Sequence, residues 1–515
     1  MSDNLRMLIG FVIIVLILIL YPMILPRKPR PLPVPDTLPT PAAPAPQETV
    51  ALTPQPTVQP LVPETTIVLE NQFLKLALTS QGGGIKSCYL KHYQVQLVPE
   101  NSTLLANTEL LNLPATVTQT ESAVTFIYNL PQGQLKKTWV LGKDYTLTVN
   151  FAGLSFPSTL TFDAQAGIPT TEKESKEDLA NFHFYAHTEG RVSQIATASL
   201  RKKPFVNSAD WVGLKSKYFF LALVNQTGKI DSVRAEPLAD NRIGFSASVK
   251  TPNSANFLVY AGPIEYNRLR SFRLGFENVV SLGWLKPIAL AILYILRLFY
   301  NLVRNWGWAI VLFSFLMKAI FYPLSSTQIR QMRRLQLLQP KIEELKKKYK
   351  DDPQMLNQET MRLYQIYKVN PLSGCLPLLV QMPVFFALYA VLRNFIELRG
   401  ANFLLWLKDL SQPDTLFGHI PKGVPLIGGF AIGLLPILMG ISFIAQNLMT
   451  STDKRNWAMT IIFPVFITAI FLNLSSGLQL YWFVYNILSI LESLIATKGG
   501  ALWQKIKKSP SLGVS

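Results

Sequence analysis

A single cation stands in the middle of an otherwise apolar run: Lys318, within WGWAIVLFSFLMKAIFYP at residues 306–323. A lysine at the centre of a membrane-spanning helix costs roughly 2.5–3.5 kcal/mol on insertion scales, so it is a functional-site candidate by default. At helical spacing Ser314, Lys318 and Tyr322 share a face, giving a positively charged stripe on a lipid-compatible rod. The plainer reading is that Lys318, close to Pro323, extends its stem to the headgroups. Other apolar runs carry polar groups as well: Gln381, Gln446, and then Tyr481, Tyr485, Ser489 and Glu492 on one face, with Trp482 and Asn486 beside them. Such groups often only hydrogen-bond a neighbouring helix. Several spans contributing them around one lysine point instead to a shared wet cavity. Glu492 and Lys318 lie at similar distances from the ends of their runs, and a lone intramembrane charge is costly, so each has reason to find the other. Alternatively, Glu492 reaches the interface beside Lys498.

Bond-making chemistry has no visible constellation. The four histidines are His92, His183, His187 and His419. His183 and His187 have metal-like spacing only on a helix, and they lie in a strand-and-loop region. Gly82-Gly83-Gly84 lacks the lysine and helix of a phosphate loop and reads as a turn. No catalytic residue, metal or cofactor is expected. The two cysteines, Cys88 and Cys375, fall on opposite sides of the membrane in the topology below, so no disulfide is expected between them.

The elements that position these residues follow from hydropathy and charge. In 515 residues, 49% are hydrophobic and 16% charged, which is a membrane-protein composition. Residues 1–25 contain an uncleaved anchor at 7–25, and 26–63 is a Pro-rich, polyproline-like linker. Residues 64–275 alternate at period two, as in Leu74, Leu76, Leu78 and in Val124, Phe126, Tyr128, Leu130, which predicts a large β-sandwich. Residues 276–304 include an apolar helix at 287–303 carrying Arg297. It is too close to the next span to reverse direction, so it is expected to lie flat in the interface. Residues 305–324 form the second span and 375–497 hold spans three to six, at 376–396, 427–449, 457–474 and 478–496.

The formal charge of +18 is concentrated in the segments beside those spans. Residues 325–374 hold ten Lys or Arg against five acids, and 498–515 form a basic tail. The positive-inside rule makes both cytoplasmic, with both termini inside and the β domain outside. Arg27, Lys28 and Arg30 on the outer flank of the first span argue the other way and are outweighed by the later loops. Met332, Leu335, Leu338, Ile342, Leu345 and Tyr349 recur at three and four, Asp351-Asp352-Pro353 reads as a turn and cap, and Leu356 to Tyr367 resume the spacing. This predicts a helical hairpin, its first arm kinked at Pro340. Its basic surface, Lys346, Lys347 and Lys348 included, suits anionic lipid or ribosomal RNA without reading a nucleic-acid sequence, and its Met-containing apolar face suits apolar chains or a ribosome.

Three long motifs sharpen this picture: NWGWAIVLFSFLMKAIFYPLSSTQ (305–328), VNPLSGCLPLLVQMPVFFALY (369–389) and SSGLQLYWFVYN (475–486). In them, and across nearly the whole architecture, the chain resembles the YidC/Oxa/Alb membrane protein insertases, in the Gram-negative form with a large periplasmic domain. The resemblance implies a polytopic α-helical membrane protein of the bacterial inner membrane, with a five-helix core around a hydrophilic groove and an all-β periplasmic supersandwich similar to sugar-mutarotase folds. It implies insertion and folding of nascent membrane proteins, alone or with the Sec translocon. The family's groove cation, usually arginine, falls on Lys318, and its client-contact positions fall on Ser314, Tyr481 and Trp482. Lysine keeps the charge but lacks the bidentate fork. Two competing readings are a polytopic transporter for an anionic solute, which would call for internal repeats that are not found, and a sugar-active β domain on a membrane anchor.

Overall fold

The computed structural model describes residues 64–131, 133–153, 157–172, 178–195, 200, 205–250, 254–370, 376–421, 423–424, 428–450 and 458–507. The expected first span and Pro-rich linker, Cys375, and the end of the basic tail lie outside them. Two compact units divide between Val280 and Ser281.

In the first unit the alternation read from the sequence becomes sheet. Eighteen strands among the described residues form sheets of four, five and nine strands. Strand Ala123–Leu130 buries Val124, Phe126 and Tyr128 and turns the residues between them outward. These three sit opposite Trp139, Lys137 and Leu135 on the antiparallel neighbour Gly133–Leu141. The period of two places a whole row of apolar side chains on one face, and that face is the core. Phe151 and Phe257 of the nine-stranded sheet meet Phe162 of the five-stranded sheet edge to face, with centroids 4.6–6.0 Å apart.

A lysine sits in that core. Lys137 is fully buried, and its Nζ donates to Gly82 O (3.0 Å), Leu105 O (3.3 Å) and Asn107 Oδ1 (2.6 Å) while facing the rings of Trp139, Phe151 and Phe162. Burial pulls its pKa well below the usual lysine value. This explains the glycine run. Gly82 and Gly83 have positive φ (65° and 57°), and a Cβ on Gly83 would come within 2.7 Å of the Lys137 stem. Cys88 is buried in the same unit, its thiol pushed up to about 12 by desolvation.

The second unit is helical. After a short helix of the β unit, α1 (Tyr266–Ser271), come α2 (Lys286–Val303), α3 (Trp306–Lys348), α4 (Pro353–Ile366), α5 (Leu376–Asn394), α6 (Leu434–Thr450), α7 (Phe463–Phe471) and α8 (Ser476–Lys507). By length and composition alone, Lys286–Val303, Trp306–Lys348 and Ser476–Ala496 are sufficient to cross a membrane, and Leu379–Asn394, Leu434–Met449 and Thr460–Phe471 are shorter apolar helices.

Between α2 and α3, Arg304 turns into the left-handed region (φ 53°) and Asn305 caps α3 by accepting from Trp308 N at 3.1 Å. Tyr300 stacks on Trp306 at 4.0 Å across this corner. Helix α2 packs on α3 and α5 and buries Ala289, Ile292, Leu293 and Leu296, while Tyr294, Leu298 and Leu302 remain exposed.

Helix α3 carries the expected second span and the first hairpin arm in one element. It is one helix of 43 residues, running through both Pro323 and Pro340. Each proline removes a backbone donor, at a cost of about 3 kcal/mol in a helix interior. Around Pro323 local hydroxyls bond backbone carbonyls: Ser326 Oγ and Thr327 Oγ1 donate to Pro323 O. The far end of α3 folds back on α4. Leu335, Leu338 and Ile342 pack with Val369, Met332, Leu363 and Tyr364, and Asp352 caps α4 by accepting from Gln354 N and Met355 N. This part of the hairpin's apolar surface is buried between its own two arms.

Candidate functional site

Helix α8 carries the site because its residues fall on separate faces. Tyr481, Tyr485, Ser489 and Glu492 recur every three or four residues and so form one ridge, which faces α3. There Lys318 Nζ lies 2.7 Å from Glu492 Oε2 and donates to Ser489 Oγ at 2.8 Å. The Tyr485 ring lies under the same ammonium, 5.1 Å from its centroid. Ser325, two turns beyond Lys318 on α3, donates to Glu492, with its Oγ 2.7 and 2.9 Å from the two carboxylate oxygens. Ser489 is itself fixed by donating to Tyr485 O at 2.9 Å. The Lys318 and Glu492 side chains are only 12% and 10% exposed, so Lys318 does not snorkel past its neighbours and Glu492 does not stand free beside them.

The other predicted residues extend the site unevenly. Tyr481 is buried and accepts a 2.6 Å hydrogen bond from Gln381 Nε2 of α5, and its ring meets Phe313 and Tyr485. Asn486 turns toward α6 and donates to Ser442 Oγ at 3.2 Å. Gln446 lies half-buried one turn along from Ser442. Trp482 packs between Phe385 of α5 and Phe471 of α7, and its Nε1 has no hydrogen-bond partner among the described residues.

Two residues depart from the expected stripe. Ser314 is fully buried and donates to Ile310 O of its own helix, and Tyr322 is 57% exposed. The i, i+4 rule aligned them with Lys318, but a 100° step per residue carries Tyr322 past the packed face.

Three contacts had no sequence reading. Ser325 has a signal in hindsight, since it lies seven residues after Lys318 and therefore on the same face. Arg297, noted as an oddity, pairs with Glu397 at 2.5 Å and covers the Phe395 ring, which ties α2 to the end of α5. Asp414, 4% exposed, accepts from Trp406 Nε1 (2.9 Å) and from Leu435 N (2.8 Å) at the start of α6.

On the hairpin, Lys346, Lys347 and Lys348 occupy the last turn of α3, where cations complement the helix dipole, and Lys348 covers the Tyr349 ring. Met332 and Leu338 are within the closed seam, whereas Met355, Met361 and Ile366 of α4 are exposed. Among the described residues no group of His, Cys, Asp and Glu could hold a metal ion. His187 bonds Asp210 at 2.8 Å, and His183 the Asn181 carbonyl at 2.8 Å.

The arrangement can attract and hold a charge within apolar surroundings. Comparison with known proteins gives the family. Residues 298–501 match the family described as 60Kd inner membrane protein, and residues 66–295 match the YidC periplasmic domain. The membrane protein insertase YidC of Pelobacter propionicus is 34% identical over 463 residues, covering 81% of this chain and 84% of that one. That of Geobacter metallireducens is 32% identical over 527 residues, covering 92% and 94%. A crystal structure of an active YidC insertase with its first transmembrane domain resolved is 21% identical, covers 83% of this chain and 92% of its own, and aligns with a TM-score of 0.41. With two family patterns laid end to end over both units and a third of residues shared along most of its length, the chain belongs to the YidC family of membrane protein insertases.

Proposed function

We propose that this insertase works through a hydrophilic groove between α3 and α8, with Lys318 as the cation that draws acidic residues of a client. The supporting observation is the cluster of Lys318, Glu492, Ser325 and Ser489, a charged, hydrogen-bonded island within apolar helices. A polar segment crossing bare hydrocarbon leaves its charges and backbone groups unsolvated. A pocket that offers hydrogen bonds part of the way across lowers that barrier, and the client's apolar helix then slides into lipid. Apolar partition supplies the driving force, so no nucleotide or chemical step is required.

In this reading the chain crosses the inner membrane six times with both termini cytoplasmic. The β unit lies in the periplasm and α2 lies flat in the interface. Nascent membrane proteins enter from the cytoplasmic side, delivered by a ribosome or shared with the Sec translocon. The basic end of the hairpin rests on anionic lipid. Depletion of the host's own insertase, followed by complementation with this chain, tests the proposal: insertion of small one-span and two-span clients is expected to return. A stably expressed chain that restores growth-independent insertion of none of them would overturn it.

A further inference from the structure

The groove cation is already neutralised by the protein itself. Glu492 places one oxygen 2.7 Å from Lys318 Nζ and receives the Ser325 hydroxyl on both oxygens, and Lys318 donates its next proton to Ser489. With side chains only 12% and 10% exposed, bulk water and salt screen this pair little. A second carboxylate brought to Lys318 would share one ammonium with Glu492, and two carboxylates on one site repel. A client's acidic residue therefore reaches Lys318 only by exchange.

The surroundings are arranged for such an exchange. Ser325 lies two turns further along α3 than Lys318, toward the hairpin, so Glu492 bridges the two. When Glu492 yields Lys318 it keeps the Ser325 hydroxyl, a charge-assisted donor, and is not left bare. Lys318 meanwhile keeps Ser489 and the Tyr485 ring, which hold it in place for the incoming group.

We propose that Glu492 is an internal stand-in for the client carboxylate, docked on Ser325, and that it sets how strongly the groove prefers acidic over neutral clients. The proposal rests on the reading of the groove as the client path. Its test uses the full chain in proteoliposomes and two single-span clients that differ only by Asp or Asn in the translocated segment, with insertion scored by protease protection. Glu492→Gln retains an acceptor for Ser325 but removes the competing charge. The ratio of Asp-client to Asn-client insertion is expected to rise about tenfold, the equivalent of about 1.4 kcal/mol. Ser325→Ala, which removes the dock and leaves the charge, is expected to shift the ratio the other way, lowering it, because Glu492 displaced from Lys318 would then be left bare. If Glu492→Gln does not accumulate as folded protein, the Ser325→Ala ratio decides. An unchanged ratio, or equal loss of both clients, would make Glu492 a brace between helices and overturn the proposal. Failure of the groove reading itself looks different: Lys318→Ala would then insert both clients in the wild-type ratio.

Discussion

Lys318 holds its place by charge and by shape, and the two contributions separate by substitution. Arginine keeps the charge and can reach Glu492, so Lys318→Arg is expected to retain insertion. Lys318→Ala leaves the Glu492 carboxylate nearly buried without its cation, a change that costs roughly 3–5 kcal/mol in buried pairs. It should impair clients with acidic outer segments most, and Lys318→Glu more severely still. Crosslinking yield from the client's acidic residue to α3 measures this; equal yields for acidic and neutral clients in the alanine variant would remove Lys318 from the client path. A second residue-scale expectation concerns pH. Burial pushes the His183 imidazole down to about 4, while its Nδ1 bonds the Asn181 carbonyl. A depressed folded value means that the unfolded chain takes up the proton first, so stability is complete above pH 6.5 and is lost as pH falls toward 4. The loss from this group is expected to reach about 2–3 kcal/mol. His183→Gln should flatten the fall in denaturation midpoint of the β unit between pH 7 and 4.5.

At the scale of elements, the hairpin depends on a small seam. Leu338→Ala removes a side chain from the cluster of Leu335, Ile342 and Val369, a change of about 2–4 kcal/mol. Amide exchange in α4 is expected to accelerate while residues 306–320 of α3 keep their protection; acceleration along all of α3 would mean that span and hairpin unfold as one. This seam, the Asp352 cap and the β alternation were legible because each depends on residues a few positions apart. The ridge of α8 that faces Lys318 was legible for the same reason, as four polar residues at helical spacing in an apolar run. What joins the ridges was less so: Ser325 and Glu492 lie 167 residues apart, and a serine beside a proline looks like local capping. The prolines left the continuity of the helix open. Pro323 and Pro340 suggested a boundary and a kinked arm, and both lie inside one continuous helix, whose far end is held by the packed seam. Asp414 was invisible, since its importance comes only from the loop folding back to the start of α6.

For the whole molecule, each unit has a core of its own. The β unit closes on Phe276 and Val279, which pack with Trp211, Phe220 and Tyr260 or receive Lys215 at their carbonyl, and it ends at Val280. Deletion of residues 64–280, joining the linker to α2, is expected to leave most insertion intact, because the Lys318 cluster and the hairpin lie elsewhere in the chain. Complementation by the deletion checks this, and complete loss from a stably expressed variant would move the function toward the β unit. The unbroken run of α3 has a further, mechanical consequence. Lys318 and Lys348 are 30 residues apart on one helix, about 45 Å at 1.5 Å per residue, so a tilt of roughly 5° at the hairpin end swings it by about 4 Å about the lysine. A load placed on the hairpin, whether a docked particle or a lipid surface, thus arrives at the ion pair as torque on a lever arm.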